Sequence, residues 1–343
     1  MSEVRSERPD EDGSISVGDD SSVSDDSNAG KQAQPIRFRD RIVYWAARFG
    51  IGAAARVPQW LGYRLADWLG RAWFRVDGRR RRFARKFLQQ AYPDLSEREH
   101  MRIGSRATGN LFMVPLDMAR LTRLLGAGQS LEEVVDASDA GPKLRSLKPP
   151  YLGLTAHLGS WEVAAVSVAQ HAGGAHGMAR ITKNPLLNDW ILKNRSSGGL
   201  TVHPRRGGFR DMANALAEGS VGLQVVDQNQ RLRGVFAPFF GKEASCERAA
   251  ASLALRRGYP IVVGTAIRRG RAFRFDLVAA DPFVPERTDD KQRDLLQAVT
   301  EINRRLEQLI RRAPEQYLWI HDRYRTQRKP GDGDRGEEAS AAE

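Results

Sequence analysis

The segment that most constrains this chain is residues 151–163, YLGLTAHLGSWEV. Pro149 and Pro150 end whatever precedes it. Leu152, Leu154 and Ala156 then alternate with Tyr151, Gly153 and Thr155, the pattern of a buried strand. Leu158, Gly159 and Ser160 make a tight turn. Ser160 is placed as the N-cap of a helix that carries Glu162 in its first turn. His157 is thereby set at the carboxyl end of a strand, where ligands and chemistry collect in open α/β folds.

An acceptor hydroxyl is a poor nucleophile until something takes its proton, and an imidazole with a reference pKa of about 6.5 suits that task near neutrality. A carboxylate on the far ring nitrogen fixes the tautomer and stabilises the imidazolium as it forms. His157 is the candidate general base and Glu162 the candidate orienting carboxylate. The plainer reading is a histidine satisfied by a backbone group, with Glu162 merely favourable at a helix amino terminus. Asp227, at the end of an expected strand over 221–226, is a second carboxylate that competes with Glu162 for the same role. An N-cap or loop role is equally open to it.

Charge is unevenly spread. The chain of 343 residues has a formal net charge of +12, but residues 1–35 carry −6 and residues 331–343 carry −4, leaving +22 on residues 36–330. Both tails are rich in small and acidic residues and are expected to be disordered. The first lacks the basic start and apolar core of a signal peptide. A core this basic implies an anionic partner: nucleic acid, an anionic membrane face, an acidic protein or a phosphorylated substrate. With a single cysteine, Cys246, there is no internal disulfide and no zinc-ligand spacing. Neither a Walker loop nor GxGxxG occurs. No metal or organic cofactor is indicated, and nucleic acid has no motif in its favour.

The expected organisation is an acidic tail over 1–35, a helical membrane-surface region over 36–125, an α/β core over 126–328 and a second tail over 329–343. In residues 41–76, Tyr44, Trp45, Phe49, Trp60, Tyr63, Trp68, Trp73 and Phe74 recur among arginines that keep every apolar run too short to span a bilayer. This reads as an amphipathic helical hairpin broken at Pro58, lying on an anionic membrane surface or packed on the core. Ser96 and Glu99 have capping-box spacing. Residues 126–148 read as a connection with a short helix or strand. Further on, strands are expected over 175–181, 200–202, 221–226, 260–266 and 273–278. Helices are expected over 185–197, 209–217 and 249–257. A long amphipathic helix over 289–312 carries Leu295, Leu296, Val299, Ile302, Leu306, Leu309 and Ile310 on one side.

The flanking residues of these elements carry a resemblance. AHLGSWE, then RITKNPLLNDWILKNRSSGG, then GVFAPFFGK and finally PEQYLWIHDRYR resemble, in order, the signature blocks of the bacterial lipid A biosynthesis (late) acyltransferase family. The resemblance covers roughly residues 40–328. Asp322 departs from it, since a basic residue usually follows the Trp and His of the closing block. His321 reads as structural. Many members begin with a membrane-spanning helix; this sequence is expected to depart from that and to lie peripherally on the membrane.

The resemblance implies a central mixed β-sheet flanked by helices, of the glycerolipid-acyltransferase kind. It implies acyl transfer from acyl carrier protein to a hydroxyl of a phosphorylated glycolipid, a lipid A precursor, at the cytoplasmic face of the inner membrane. Another glycolipid or phospholipid acceptor, such as a phosphatidylinositol mannoside, and a non-catalytic basic peripheral membrane-binding protein are the alternatives. Arg180, Lys183 and Arg195 become candidates for binding phosphate, with Arg195 also supporting catalysis, and Asn184 lies among them. Phe239 and Phe240 are candidates for a wall against the acyl chain, or else a plug for their own core. Arg205, Arg206 and Arg210 add charge for docking the acidic carrier. Cys246, just past the third block, is not excluded as a nucleophile.

Overall fold

The computed structural model describes residues 36–179, 184–204, 207–232 and 234–328; of Asn194 only the backbone is described. The expectations for both tails, and for Arg180, Lys183, Arg205 and Arg206, lie outside these residues. From Arg37 onward the chain forms one unit that joins the helical region to the sheet.

Four helices come first: α1 (Phe38–Arg56), α2 (Gln59–Val76), α3 (Gly78–Ala91) and α4 (Glu97–Gly126). Pro58 separates the first two, since its ring fixes φ and removes a donor. Ser96 and Glu99 form the reciprocal capping box that opens α4. The connection that follows holds β1 (Val135–Asp136) and α5 (Ala140–Arg145).

The alternating part is β2 (Tyr151–Thr155), α6 (Trp161–Ala172), β3 (Ala175–Ala179), α7 (Pro185–Ser196), β4 (Leu200–Pro204), α8 (Gly208–Ala217) and β5 (Val221–Val225). A hairpin of β6 (Val235–Phe239) and β7 (Lys242–Cys246) interrupts it. Then come α9 (Ala249–Arg257), β8 (Ile261–Arg268), β9 (Phe275–Ala279) and α10 (Lys291–Arg312).

Seven of the described strands form one mixed sheet in the order β1-β9-β8-β2-β5-β3-β4. Only β8 and β9 run antiparallel within it. The central strand β2 pairs with β5 in register, Thr155 opposite Val225. Both faces are covered, as a largely parallel sheet requires. On one face Leu152, Leu154 and Val263 pack with residues of α3, α8, α9 and α10. On the other, Tyr151, Leu223 and Val262 pack with α6 and the second half of α4.

Two details differ from the sequence expectation. Leu296 is 40 % exposed, so the apolar stripe of α10 is narrower than its sequence suggested. Ser160 does occupy the N-cap of α6, but its hydroxyl makes no cap hydrogen bond and is buried without a partner.

Candidate active site

Parallel pairing of β2 with β5 decides the site. Because Thr155 and Val225 are opposite one another, the residues two positions beyond each strand, His157 and Asp227, emerge side by side. Asp227 Oδ1 lies 2.7 Å from His157 Nδ1, and Asp227 Oδ2 accepts the backbone N–H of His157 at 3.0 Å. With a carboxylate as the acceptor, Nδ1 carries the proton and Nε2 is left as the basic nitrogen. The histidine side chain is 21 % exposed, while Asp227 is buried.

Burial disfavours the imidazolium, but the charge of Asp227 and its hydrogen bond outweigh this, with a smaller contribution from Glu162; the pKa of His157 is raised. Burial likewise pushes the Asp227 carboxyl up. The charge of His157, its two hydrogen bonds and the charge of Arg323 prevail and hold it below its ordinary value. Tyr317 is buried near Asp227, and its own hydroxyl is held neutral by burial and by the charge of that carboxylate.

Glu162 is not the partner of His157, which corrects the first of the two carboxylate readings. It faces α7, where Arg195 Nη2 and Nε donate to its two oxygens at 2.6 and 3.1 Å. A planar guanidinium matches a carboxylate better than an imidazole does, and α7 brings that fork to the first turn of α6. Arg195 is therefore occupied by a carboxylate instead of lying open to phosphate. Asn184 is a helix cap: its Oδ1 accepts Leu187 N–H at 3.1 Å, and its Nδ2 donates to the Asp40 carbonyl, fastening α1 to α7. That makes it an unsuitable substrate ligand.

Phe239 and Phe240 are buried among Phe87, Tyr317 and Trp319, so they fill the core under the hairpin instead of lining a chain-binding wall. Cys246 is buried too. Its sulfur receives hydrogen bonds from Asn303 and Arg323, which removes it as a nucleophile. His321 Nε2 accepts Asn229 N–H at 3.1 Å and is structural; burial lowers its pKa and keeps it neutral. Arg210 is exposed on α8.

The turn after His157 is held on every side. The His157 carbonyl accepts Leu318 N–H, and Leu158 pairs with Tyr317 in an antiparallel bridge. Thr265 Oγ1 donates to the Leu158 carbonyl at 2.6 Å. Gly159 N–H and Ser160 N–H donate to the carbonyls of Gln316 and Ala266. Gly159 has φ +61°, and a Cβ there would collide with the Ala266 carbonyl oxygen, so the position needs glycine.

Asn110 Nδ2 reaches the Gly159 carbonyl, while its Oδ1 accepts Arg268 Nε at 3.0 Å. Arg268 in turn forms a fully buried bidentate pair with Asp117, which also accepts the Tyr63 hydroxyl at 2.7 Å. Sequence reasoning missed Tyr317, Arg268 and Asp117. For Arg268 and Asp117 the one visible signal was a charged residue inside an otherwise apolar strand or helix.

Trp161 packs edge-on to the His157 ring, with centroids 4.8 Å apart. It also walls a cavity of about 100 Å³ between α6 and the sheet. The floor is kept open by Gly177, Gly153 and Gly264 on β3, β2 and β8, and the remaining lining is mostly Val, Leu and Ala. The polar exceptions are Thr155, Gln224, Thr265, Glu162 and Arg195, of which the last two also border a second apolar cavity of about 210 Å³ between α1, α4 and α7.

A histidine–aspartate pair at a strand end beside an apolar cavity suits proton transfer on an apolar-chain substrate. The sequence model described as bacterial lipid A biosynthesis acyltransferase matches residues 31–326. The chain belongs to this family. As a lipid A biosynthesis acyltransferase it is 26 % identical over 300 residues to the lipid A biosynthesis lauroyltransferase of Escherichia coli, covering 82 % of this chain and 92 % of that protein. It is 31 % identical over 145 residues to the palmitoleoyltransferase of the same organism, covering 42 % and 46 %. A lipid A biosynthesis acyltransferase of Shigella flexneri matches to the same extent. Among the described residues of this acyltransferase no group of three or more His, Cys, Asp or Glu is placed to hold a metal ion.

Proposed function

We propose that the protein transfers a fatty acyl chain from the thioester of acyl carrier protein to a hydroxyl of a lipid A precursor, as a peripheral protein on the cytoplasmic face of the inner membrane. The observation that carries this reading is the His157–Asp227 dyad beside an apolar cavity in a chain of this family.

His157 Nε2 takes the proton of the acceptor hydroxyl as its oxygen attacks the thioester carbonyl carbon. Asp227 stabilises the imidazolium. Collapse of the tetrahedral intermediate breaks the C–S bond, and the leaving thiolate takes the proton back from Nε2. The N–H groups of Gly159 and Ser160 are already bound, so the oxyanion is left to the positive amino-terminal end of α6. The glycine-floored cavity takes the acyl chain, with Trp161 between it and the base.

Membrane contact falls to α1 and α2. Phe38, Ile42, Trp45 and Phe49 recur at helical spacing on α1, as do Leu61, Leu65, Trp68 and Leu69 on α2, and all are exposed. Arg48 lies over the rings of Tyr44 and Trp45. No described helix is long and apolar enough to cross a membrane. Such a face suits the interface, with aromatics at the level of the headgroups. The test is incubation of the purified protein with acyl carrier protein thioester and a lipid A precursor in mixed vesicles, read by product mass. Absence of an acylated product with both substrates present overturns the reading.

A further inference from the structure

Between α2, α3 and α4 lies an open cleft of about 910 Å³ remote from the acyl cavity. From α2 it receives Arg71 and Arg75. From the start and middle of α3 it receives Arg79, Arg81, Arg82 and Arg85, and from α4 Arg98 and Arg102. Against these eight arginines stands one carboxylate, Glu97, already paired with Arg85 at 3.0 Å. The side chains of Arg75, Arg82, Arg98 and Arg102 have no hydrogen bond or ion pair among the described residues. Guanidinium groups gathered around a concavity repel one another, and that cost is offset when an anion enters.

The cleft connects with the site by shared walls. Arg71 also borders a second cleft of about 640 Å³, together with Arg64, Arg106 and Arg271. There, Asp67 pairs with Arg71 and Arg271, and Glu315 with Arg106. Two of the residues lining this more balanced cleft, Asn110 and Gln316, also line the small pocket at His157. Charge thus falls from eight arginines against one carboxylate, to four against two, to the dyad.

We propose that the α2–α3–α4 cleft binds a phosphomonoester on the lipid acceptor, whose uncharged sugar lies in the adjoining cleft toward His157. The proposal rests on the acyl-transfer reading for its acceptor, and it adds where the phosphate is held. Three features favour a lipid phosphate over the acidic face of a carrier protein. The surface is a concavity of headgroup size, whereas a protein partner docks on a broad, flatter face. The planar forks of arginine match a phosphate bidentately. Finally, Arg71 and Arg75 follow Trp68 by three and seven residues on α2, so the cleft opens beside the exposed apolar stripe, at the depth where lipid phosphates lie.

The experiment compares wild type with Arg98→Gln/Arg102→Gln and, as a control of equal charge change, Arg256→Gln/Arg257→Gln on the exposed end of α9. Binding is measured to phosphatidylcholine vesicles containing either phosphatidic acid, a monoester, or phosphatidylglycerol, a diester, at matched surface charge. Wild type should prefer phosphatidic acid by about tenfold, the scale of one charge-assisted hydrogen bond. The first variant should lose that preference and the control keep it, with thermal melts unchanged in both. In the transfer assay, KM for the acceptor should rise about tenfold in the first variant, while kcat and KM for the carrier protein hold. Equal losses on both vesicle types in both variants would mean diffuse membrane attraction and overturn the proposal. So would a rise in KM for the carrier protein instead of the acceptor. The vesicle arm needs no turnover, so an inactive protein counts against the acyl-transfer reading alone.

Discussion

Asp227 grips His157 twice, one carboxylate oxygen on the ring and the other on the backbone N–H. The double contact fixes the tautomer and the position of the ring together, which a single side-chain hydrogen bond does not. His157→Ala should abolish acyl transfer in a folded protein. Asp227→Asn should lower turnover by about 10³-fold or more, as loss of an orienting carboxylate does elsewhere. Glu162→Gln should cost far less turnover than Asp227→Asn. Turnover and thermal melts of all three check this, and a Glu162 variant as damaged in kcat as the Asp227 variant would reverse the assignment.

The raised pKa of His157 sets the sign of the pH profile. The base acts when neutral, so kcat/KM should rise with pH and reach half its plateau above the ordinary imidazole value of 6.5. Asp227→Asn should move that midpoint down as well as lowering the plateau. For stability the sign is opposite. The ion pair's contribution through His157 is complete below 6.5 and is lost as pH climbs through the raised folded value. The Tm difference between wild type and Asp227→Asn should therefore shrink toward alkaline pH.

The glycine-floored cavity makes a prediction about chain length. A side chain at Gly177 meets its neighbours at ordinary contact distance, 3.5 Å to Leu200 Cδ1, so the position accepts one without breaking the sheet. Gly177→Val should fill part of the cavity and shift donor preference toward shorter acyl chains by two or more carbons. Competition between donors of different length, read by mass spectrometry, checks it. An unchanged length profile would place the chain elsewhere.

Membrane attachment should be both apolar and electrostatic. Replacing Trp45, Phe49 and Trp68 by Ser should release the protein from anionic vesicles at moderate salt. Wild type should be weakened by high salt and not fully released. Flotation across a salt series measures both. Wild-type binding that ignores salt and alkaline wash would argue for a deeper insertion than this surface supports.

Asp117→Ala leaves Arg268 charged, buried and unpaired next to Asn110, and should cost about 3–5 kcal/mol of stability. Denaturant unfolding checks the figure. Because Asn110 holds the Gly159 carbonyl, any folded protein should also lose turnover.

The strand–turn–helix unit around His157 was legible because alternation, paired prolines and a glycine turn are local signals, and the strand end at Asp227 was legible for the same reason. The choice between Asp227 and Glu162 was not. It depends on β5 lying next to β2 in register, and two strands and three helices intervene in the sequence before that neighbour appears. Phe239 and Phe240 misled for a related reason. Two aromatics in a loop look like a binding wall until a helix from farther along the chain closes over them, here through Asn303 and Glu307 of α10. Arg195 was rightly placed near the first block, but sequence shows a charge and not what already neutralises it.

The clasp on the turn has a consequence for how the protein is made. Gln316, Tyr317 and Leu318, which hold His157, Leu158 and Gly159, leave the ribosome after every strand of the sheet. A nascent chain can assemble β2, β5 and the imidazole–carboxylate contact and still lack the segment that rigidifies them. Competence for acyl transfer would thus arrive late in biogenesis, after the sheet itself is complete.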